Sequence, residues 1–144
     1  MKNIENEIGE NAGIVWQALK EQGSLPLTKL FRTTKLTDEQ LWEALGWLAR
    51  ENKVTRSDTI TGPVYKLGET NLIGKIGTDA GKVWKALQTY GECDVSQLTR
   101  FTNLSVYDVY AALGWLAREN KIQAKSENHP RRFSLVRKEQ QILA

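Results

Sequence analysis

The sequence predicts a mainly helical α+β protein that consists of two copies of one small domain, docked as a pseudo-dimer. Residues 45–53 recur without change as residues 113–121, and this offset of 68 residues (113 − 45) extends well beyond that passage. When residues 8–67 are paired with residues 76–135 without a gap, 24 of the 60 pairs are identical, so the loops have equal lengths in both copies. The period is too long for a solenoid repeat, and two copies would be too few for one.

We expect the two domains at residues 1–69 and 74–144, joined by a linker short enough to favour docking. Each has about 70 residues, which is near the lower limit for burying a sufficient core. Cys93 is the single cysteine and its counterpart is Leu25, so no internal disulfide can form and a zinc site is not expected. No stretch approaches the roughly 20 apolar residues of a membrane helix, and the N-terminus has no apolar run. We predict a cytoplasmic protein without a membrane segment.

The charge of the chain is divided unevenly between its halves. The formal net charge is +3. Residues 1–70 contain 9 Lys and Arg against 10 Asp and Glu, or −1, whereas residues 71–144 contain 11 against 7, or +4. A basic cluster near the end of the second half would suit a polyanionic partner. The same residues could form an ordinary solvated tail, and the sequence leaves both interpretations open.

Apolar periodicity predicts the first helix of each copy. From Gly9 to Gln22 the apolar residues follow the i, i+3, i+4, i+7 pattern, and a glycine closes the helix in both copies, Gly23 and Gly91. A short extended segment follows over 24–27 and 92–95, and then a short second helix. The residues expected to cap this second helix or to face inward from it are Thr28, Ser96, Leu30, Phe31, Leu98 and Phe101.

A third helix and a hairpin complete each copy. Thr37 is a typical N-cap followed by acidic and amide residues, which predicts a helix over 38–51, and Ser105 repeats the cap. Beyond the Asn-Lys pair after each helix, the pattern changes to that of strands. The hairpin segments are 54–57 and 64–67 around a turn at 61–63, and 122–125 and 132–135 around a tip at 128–130.

The order helix, short strand, helix, turn, helix, hairpin resembles a winged helix-turn-helix domain. The resemblance is carried by the passages from Thr37 to Val54 and from Ser105 to Ile122: a capped helix, Leu-x-x-Leu, an Asn-Lys corner and a β-branched residue that enters the hairpin. The version Gly-Trp-Leu-Ala-Arg-Glu-Asn-Lys is similar to a family of small prokaryotic winged-helix proteins. The resemblance covers nearly the whole chain twice. It implies this fold, and either DNA recognition or protein–protein assembly.

In DNA-binding winged helices the outer face of the third helix enters the major groove. In copy one this face carries Glu39 and Glu43, and carboxylates repel phosphates, so it is a poor surface for reading bases. Copy two has a less acidic face. If the chain binds double-stranded DNA as a transcriptional regulator, copy two is therefore the predicted contact. The candidate nucleic-acid-binding residues are Tyr107, Arg118, Lys121, Lys125, Arg131 and Arg132.

The same outer face supports an alternative function. Trp47 and Trp115 either fill the cores of their own domains or anchor an interface, where tryptophan is over-represented. The Gly-Trp-x-x-Arg surface is identical in both copies, as a pseudo-two-fold contact between domains requires, and a homodimer or another protein could also use it. In this alternative the chain is an interaction or scaffolding module that does not bind DNA. The predicted interface residues are Gly46, Trp47, Arg50, Gly114 and Trp115.

The sequence contains no set of residues that would support catalysis. His129 is the single histidine and falls at a predicted hairpin tip, where a solvated loop residue is the ordinary interpretation. Asp38, Glu39 and Glu43 could bind a metal in principle, but acidic residues are favoured at a helix N-terminus for electrostatic reasons alone. No glycine-rich phosphate loop is present. We expect a protein that is not an enzyme and that uses no metal or other cofactor.

Overall fold

The computed structural model describes residues 3–124 and 130–136 and confirms a mainly helical α+β protein with two winged-helix domains. The elements of copy one are α1 (Ile4–Gln22), β1 (Leu25–Pro26), α2 (Leu27–Thr34), α3 (Asp38–Arg50), β2 (Val54–Thr59) and β3 (Gly62–Leu67). A π-helical turn (Ile73–Gly77) leads into copy two. The elements of copy two are α4 (Thr78–Tyr90), β4 (Cys93–Asp94), α5 (Val95–Thr102), α6 (Val106–Arg118), β5 (Ile122–Ala124) and β6 (Arg132–Leu135).

Each copy has a three-stranded antiparallel sheet in which the short strand after the first helix pairs with the second strand of the hairpin. The strand orders are β1-β3-β2 and β4-β6-β5. Leu25 pairs with Tyr65 and Cys93 pairs with Phe133, and all four side chains are buried. Cys93 therefore fills the apolar position that Leu25 fills in copy one. Asn128 and His129 of the predicted tip of the second hairpin lie outside the described residues.

Local capping sets the start of the third helices, as the sequence predicts. Thr37 accepts a hydrogen bond from the backbone N–H of Gln40, and the Gln40 side chain accepts one from the backbone N–H of Thr37. Ser105 accepts from the backbone N–H of Asp108 in the same way. These bonds satisfy N–H groups that have no partner inside the helix.

The second helices begin earlier than the sequence predicts. Thr28 does not cap α2, which begins directly after Pro26. Ser96 does not cap α5 either, because the Asp94 side chain accepts from the backbone N–H of Gln97. A carboxylate is a strong acceptor at the positive end of a helix, so the aspartate two residues earlier takes the role of the serine.

The cores of the two copies exchange residues. Helix α1 begins at Ile4 rather than near Gly9, and Ile4 and Ile8 pack in the core of copy two. In return, Leu72 and Ile76 pack in the core of copy one. Ile76 is the counterpart of Ile8 at the offset of 68, so the exchange is reciprocal. The domains are docked through shared apolar burial, which stabilises the pair in proportion to the area removed from water.

Candidate functional site

The third helices of the two copies, α3 and α6, pack against each other, and we call this contact the seam. A Cβ atom at Gly46 would lie 1.9 Å from the carbonyl oxygen of Ala111, and one at Gly114 would lie 1.9 Å from the carbonyl oxygen of Glu43. Only glycine fits, since real Cβ atoms essentially never come within 3.0 Å of other heavy atoms. The seam therefore covers the helix faces that DNA-binding winged helices present to the major groove.

Trp47 and Trp115 lie beside the crossing of the two helices. The ring of Trp47 packs against Gly9 of α1, and the guanidinium of Arg118 in the other domain lies 5.7 Å from the ring centroid. Trp115 has the equivalent environment, with the guanidinium of Arg50 at 5.6 Å. Both rings are partly buried and pack against core residues of both copies. Each tryptophan thus connects the two domains through apolar packing and a cation–π contact.

Two reciprocal ion pairs flank the tryptophans. Nε of Arg50 lies 3.0 Å from Oε2 of Glu119, and Nε of Arg118 lies 3.0 Å from Oε2 of Glu51. The two pairs are related by the offset of 68 residues, so the seam has pseudo-two-fold symmetry at the level of single contacts.

Removing both guanidinium groups, by Arg50→Ala with Arg118→Ala, should lower the free energy of unfolding by about 1 to 2 kcal/mol at low ionic strength. Both arginine side chains are nearly half exposed, so solvent weakens the ion pairs and the loss should shrink in about 1 M salt. Urea unfolding at two salt concentrations measures this. Lys66→Ala is the control, since Lys66 is exposed and has no ion pair among the described residues. A loss that is the same at both salt concentrations would contradict an electrostatic contribution.

A buried ion cluster crosses the seam on one side only. Glu43 of α3 is 1% exposed, and its Oε2 accepts a hydrogen bond of 2.7 Å from Nη2 of Arg131, which precedes β6. The same nitrogen donates to Glu39, and the Arg131 side chain is 10% exposed. At the offset of 68, the counterpart of Glu43 is Ala111 and that of Arg131 is Pro63. The other side of the seam therefore lacks this cluster.

The cluster shifts the ionisation of its members. Burial raises the pKa of the Glu43 carboxyl to about 8, although the nearby Arg131 guanidinium acts to lower it. Burial alone would lower the pKa of Arg131, but the carboxylates of Glu43 and Glu39 raise it above its ordinary value. Burial thus disfavours the charged form of Glu43, while the Arg131 guanidinium bonds to the carboxyl groups of both Glu43 and Glu39.

Every described member of the predicted nucleic-acid-binding set has a partner inside the protein. Arg131 departs most from the prediction, because acidic residues of the other copy hold it in the seam. Tyr107 packs against Trp42 of copy one, with ring centroids 5.5 Å apart. Lys125 lies outside the described residues. The remaining ion pairs join Arg118 to Glu51, Lys121 to Glu119, and Arg132 to Glu92.

Sequence reasoning missed two groups of basic side chains on helices outside the seam. All six are exposed, and none has an ion pair within residues 3–124 and 130–136. The only sequence signal is their spacing on polar helix faces, which an ordinary solvated surface also shows. The first group, on and just after α2, is Lys29, Arg32 and Lys35. The second group, on α4 and α5, is Lys82, Lys85 and Arg100.

The described part of the chain has neither a cluster of metal-ligating side chains nor a membrane-spanning helix. No three His, Cys, Asp or Glu side chains within the described ranges gather so that they could hold a metal ion. None of the helices in those ranges is both long enough and apolar enough to cross a membrane.

Comparison with known proteins detects the same repeat. The family profile described as winged helix-turn-helix domain (DUF2582) matches residues 1–61 and again residues 70–135. The uncharacterised protein MJ1608 of Methanocaldococcus jannaschii is 44% identical over 52 residues, which span 34% of this chain and 73% of that protein. No solved structure matches the chain.

Proposed function

Because the chain belongs to the winged helix-turn-helix family DUF2582, we propose that it is a cytoplasmic regulator of transcription that binds DNA mainly through basic side chains of its second copy. It acts by binding rather than by catalysis. The observation that carries this proposal is that Lys82, Lys85 and Arg100 are exposed and have no ion pair among the described residues. When such cations bind phosphates, they displace the counterions condensed on the DNA, and the release of these ions supplies most of the affinity of non-specific binding.

Charge differences between the two copies support this choice of surface. On α1, the face that corresponds to the lysine face of α4 carries Glu10 and Glu21. These carboxylates repel phosphates, so electrostatics should direct DNA towards copy two. Arg118, Lys121 and Arg132 are further candidate contacts, because solvent weakens their present ion pairs and a phosphate can replace the carboxylate.

The seam limits how this protein can recognise DNA. Helices α3 and α6 cover each other, so base edges are not read by their outer faces, and phosphate contacts provide most of the affinity. We therefore expect affinities for unrelated duplexes to agree within about tenfold, far less than the discrimination shown by proteins that read bases. Titration of several unrelated duplexes of equal length measures this. A preference of a thousandfold or more for one duplex would contradict phosphate-dominated binding.

The proposal is tested by titrating the protein with random duplex DNA at several salt concentrations. Lys82→Ala with Lys85→Ala and Arg100→Ala should weaken binding to every duplex and reduce the salt dependence by up to about three phosphate contacts. Lys29→Ala with Arg32→Ala and Lys35→Ala is the matched control, because it removes the same number of exposed basic side chains from copy one, and its effect should be smaller. If the parent protein does not bind duplex DNA at low salt, the proposal is wrong.

One observation favours a second candidate function, that of a protein-interaction or scaffolding module. The third helices are used to join the domains, so the usual DNA-reading surface of the fold is already occupied. The Trp47 and Trp115 surfaces are occupied as well, so a protein partner would have to bind outside the seam. Absence of DNA binding at low salt, together with a stable complex with a protein, would favour this function.

A further inference from the structure

Tyr90 and Phe101 form an exposed stacked pair in copy two. Their ring centroids are 3.9 Å apart, their planes differ by 14°, and the residues are 58% and 41% exposed. The prediction that Phe101 faces inward is wrong, because α5 buries Leu98 alone and directs Phe101 towards the end of α4. The two rings expose apolar π surface to water, and a ligand can cover this surface.

The aromatic pair lies in a groove between α4 and α5 that also carries positive charge. Lys82 and Lys85 line this groove, and no described carboxylate lines it. Both lysines are exposed and lack an ion pair within the described ranges. The remaining lining residues are Ala86, Thr89 and Thr102.

The equivalent groove of copy one has a different character, although the backbone elements repeat. Glu10 and Glu21 line it, together with the apolar Ile14. The residues that replace Tyr90, Phe101, Lys82 and Lys85 at the offset of 68 are Gln22, Thr33, Ile14 and Gln17. The fold therefore requires neither the aromatic pair nor the lysines, and both features occur together only in copy two.

We propose that the groove between α4 and α5 binds single-stranded nucleic acid, with a base stacked on the Tyr90–Phe101 pair and neighbouring phosphates at Lys82 and Lys85. Every base has a π face, so stacking on aromatic side chains tolerates any sequence, and a basic groove follows the backbone. A duplex keeps its bases stacked inside and can use only the lysines. This inference rests on the proposed nucleic-acid function and specifies a class of ligand for it.

The test uses the full chain and four fluorescent probes. They are an oligothymidine of about 12 nucleotides, an abasic sugar-phosphate oligomer of the same length, a random duplex and an oligoglutamate. The aromatic variant is Tyr90→Gln with Phe101→Thr, which introduces the residues that the same fold carries in copy one. The charge variant is Lys82→Gln with Lys85→Gln. Thermal unfolding of each variant should match the parent, because all four side chains are exposed.

The aromatic variant should bind oligothymidine at least about tenfold more weakly than the parent. Its binding to the abasic oligomer and to the duplex should stay within about twofold, because neither ligand offers a base for stacking. The charge variant should weaken binding to all three phosphate-bearing probes. If the aromatic variant binds oligothymidine as the parent does, or loses affinity for the abasic oligomer equally, the proposal is overturned. The proposal is also overturned if the parent binds oligoglutamate and the aromatic variant loses that binding, because the ligand is then an acidic polypeptide.

The probes also separate this inference from the proposed function. If the parent binds duplex DNA and the aromatic variant binds oligothymidine as tightly as the parent does, the groove proposal is wrong and the duplex-binding proposal stands. If oligothymidine binding depends on the two rings and the parent does not bind duplex DNA, the duplex-binding proposal is wrong and the groove proposal stands.

Discussion

Gly46→Ala or Gly114→Ala should each lower the free energy of unfolding by about 3 kcal/mol or more. The added Cβ would lie 1.9 Å from a backbone carbonyl oxygen of the opposing helix, and backbone cannot move aside as a flexible side chain can. The helices must separate, and this separation also disturbs the cores, because Ile8 and Ile76 each pack in the other copy's core. The expected loss exceeds the gain in helix propensity of about 1 kcal/mol from glycine to alanine.

Two other helical glycines provide the control for this prediction. Gly13 of α1 and Gly81 of α4 have no heavy atom within 4 Å of the Cβ position. Gly13→Ala and Gly81→Ala should therefore leave the protein as stable as the parent or stabilise it by up to about 1 kcal/mol. Urea unfolding of the four variants measures the contrast. Equal effects at the seam glycines and at the control glycines would show that the helices do not pack as described.

The free energy of unfolding should fall as the pH rises from 5 to 7, and Glu43 should account for about 2 kcal/mol of this fall. The pKa of Glu43 is raised from the ordinary 4.5 to about 8 by burial. Between these values the folded protein holds a proton that the unfolded chain has released, so rising pH favours unfolding. The contribution is present in full below pH 4.5 and is lost as the pH rises through about 8. The charged groups that act on Glu43 are Arg131, Glu39 and Glu7.

Glu43→Gln is the matched variant for this prediction, because the amide has a similar shape to the carboxyl group and cannot ionise. Its free energy of unfolding should depend less on pH between 5 and 8 than that of the parent, while the contributions of other groups cancel in the difference. Denaturant unfolding at a series of pH values measures both slopes. Parallel slopes would mean that Glu43 is ionised in the folded protein at neutral pH.

The features that the sequence predicts correctly depend on contacts between near neighbours. The Thr37 cap is such a feature, because its hydrogen-bond partner Gln40 lies three residues away. The closing glycines Gly23 and Gly91 are another, since each donates its backbone N–H within the last helical turn. A residue's type and spacing are sufficient for contacts of this range.

The candidate nucleic-acid-binding residues could be judged only from the structure, because their partners are distant in the sequence. Glu39 lies 92 residues from Arg131, and Glu51 lies 67 residues from Arg118. In the sequence these arginines contribute to the positive net charge of the second half. In the structure, carboxylates of the other copy lie beside them. The opposite holds for Lys82 and Lys85 of α4. In the sequence they resemble an ordinary solvated helix face, and only the structure shows that they line a groove with Tyr90 and Phe101.

By itself, the sequence determined that the protein is a duplication and that each copy is a winged-helix domain. Identity at a fixed offset, apolar periodicity and end-capping residues are all local or repeated signals. Only the tertiary structure decided which surfaces remain available to a ligand. Gly46 and Gly114 allow two backbones to approach each other, and this approach covers both third helices and buries Arg131. Whether a surface is covered depends on the free energy of packing between segments distant in the chain, which residue type and spacing do not record.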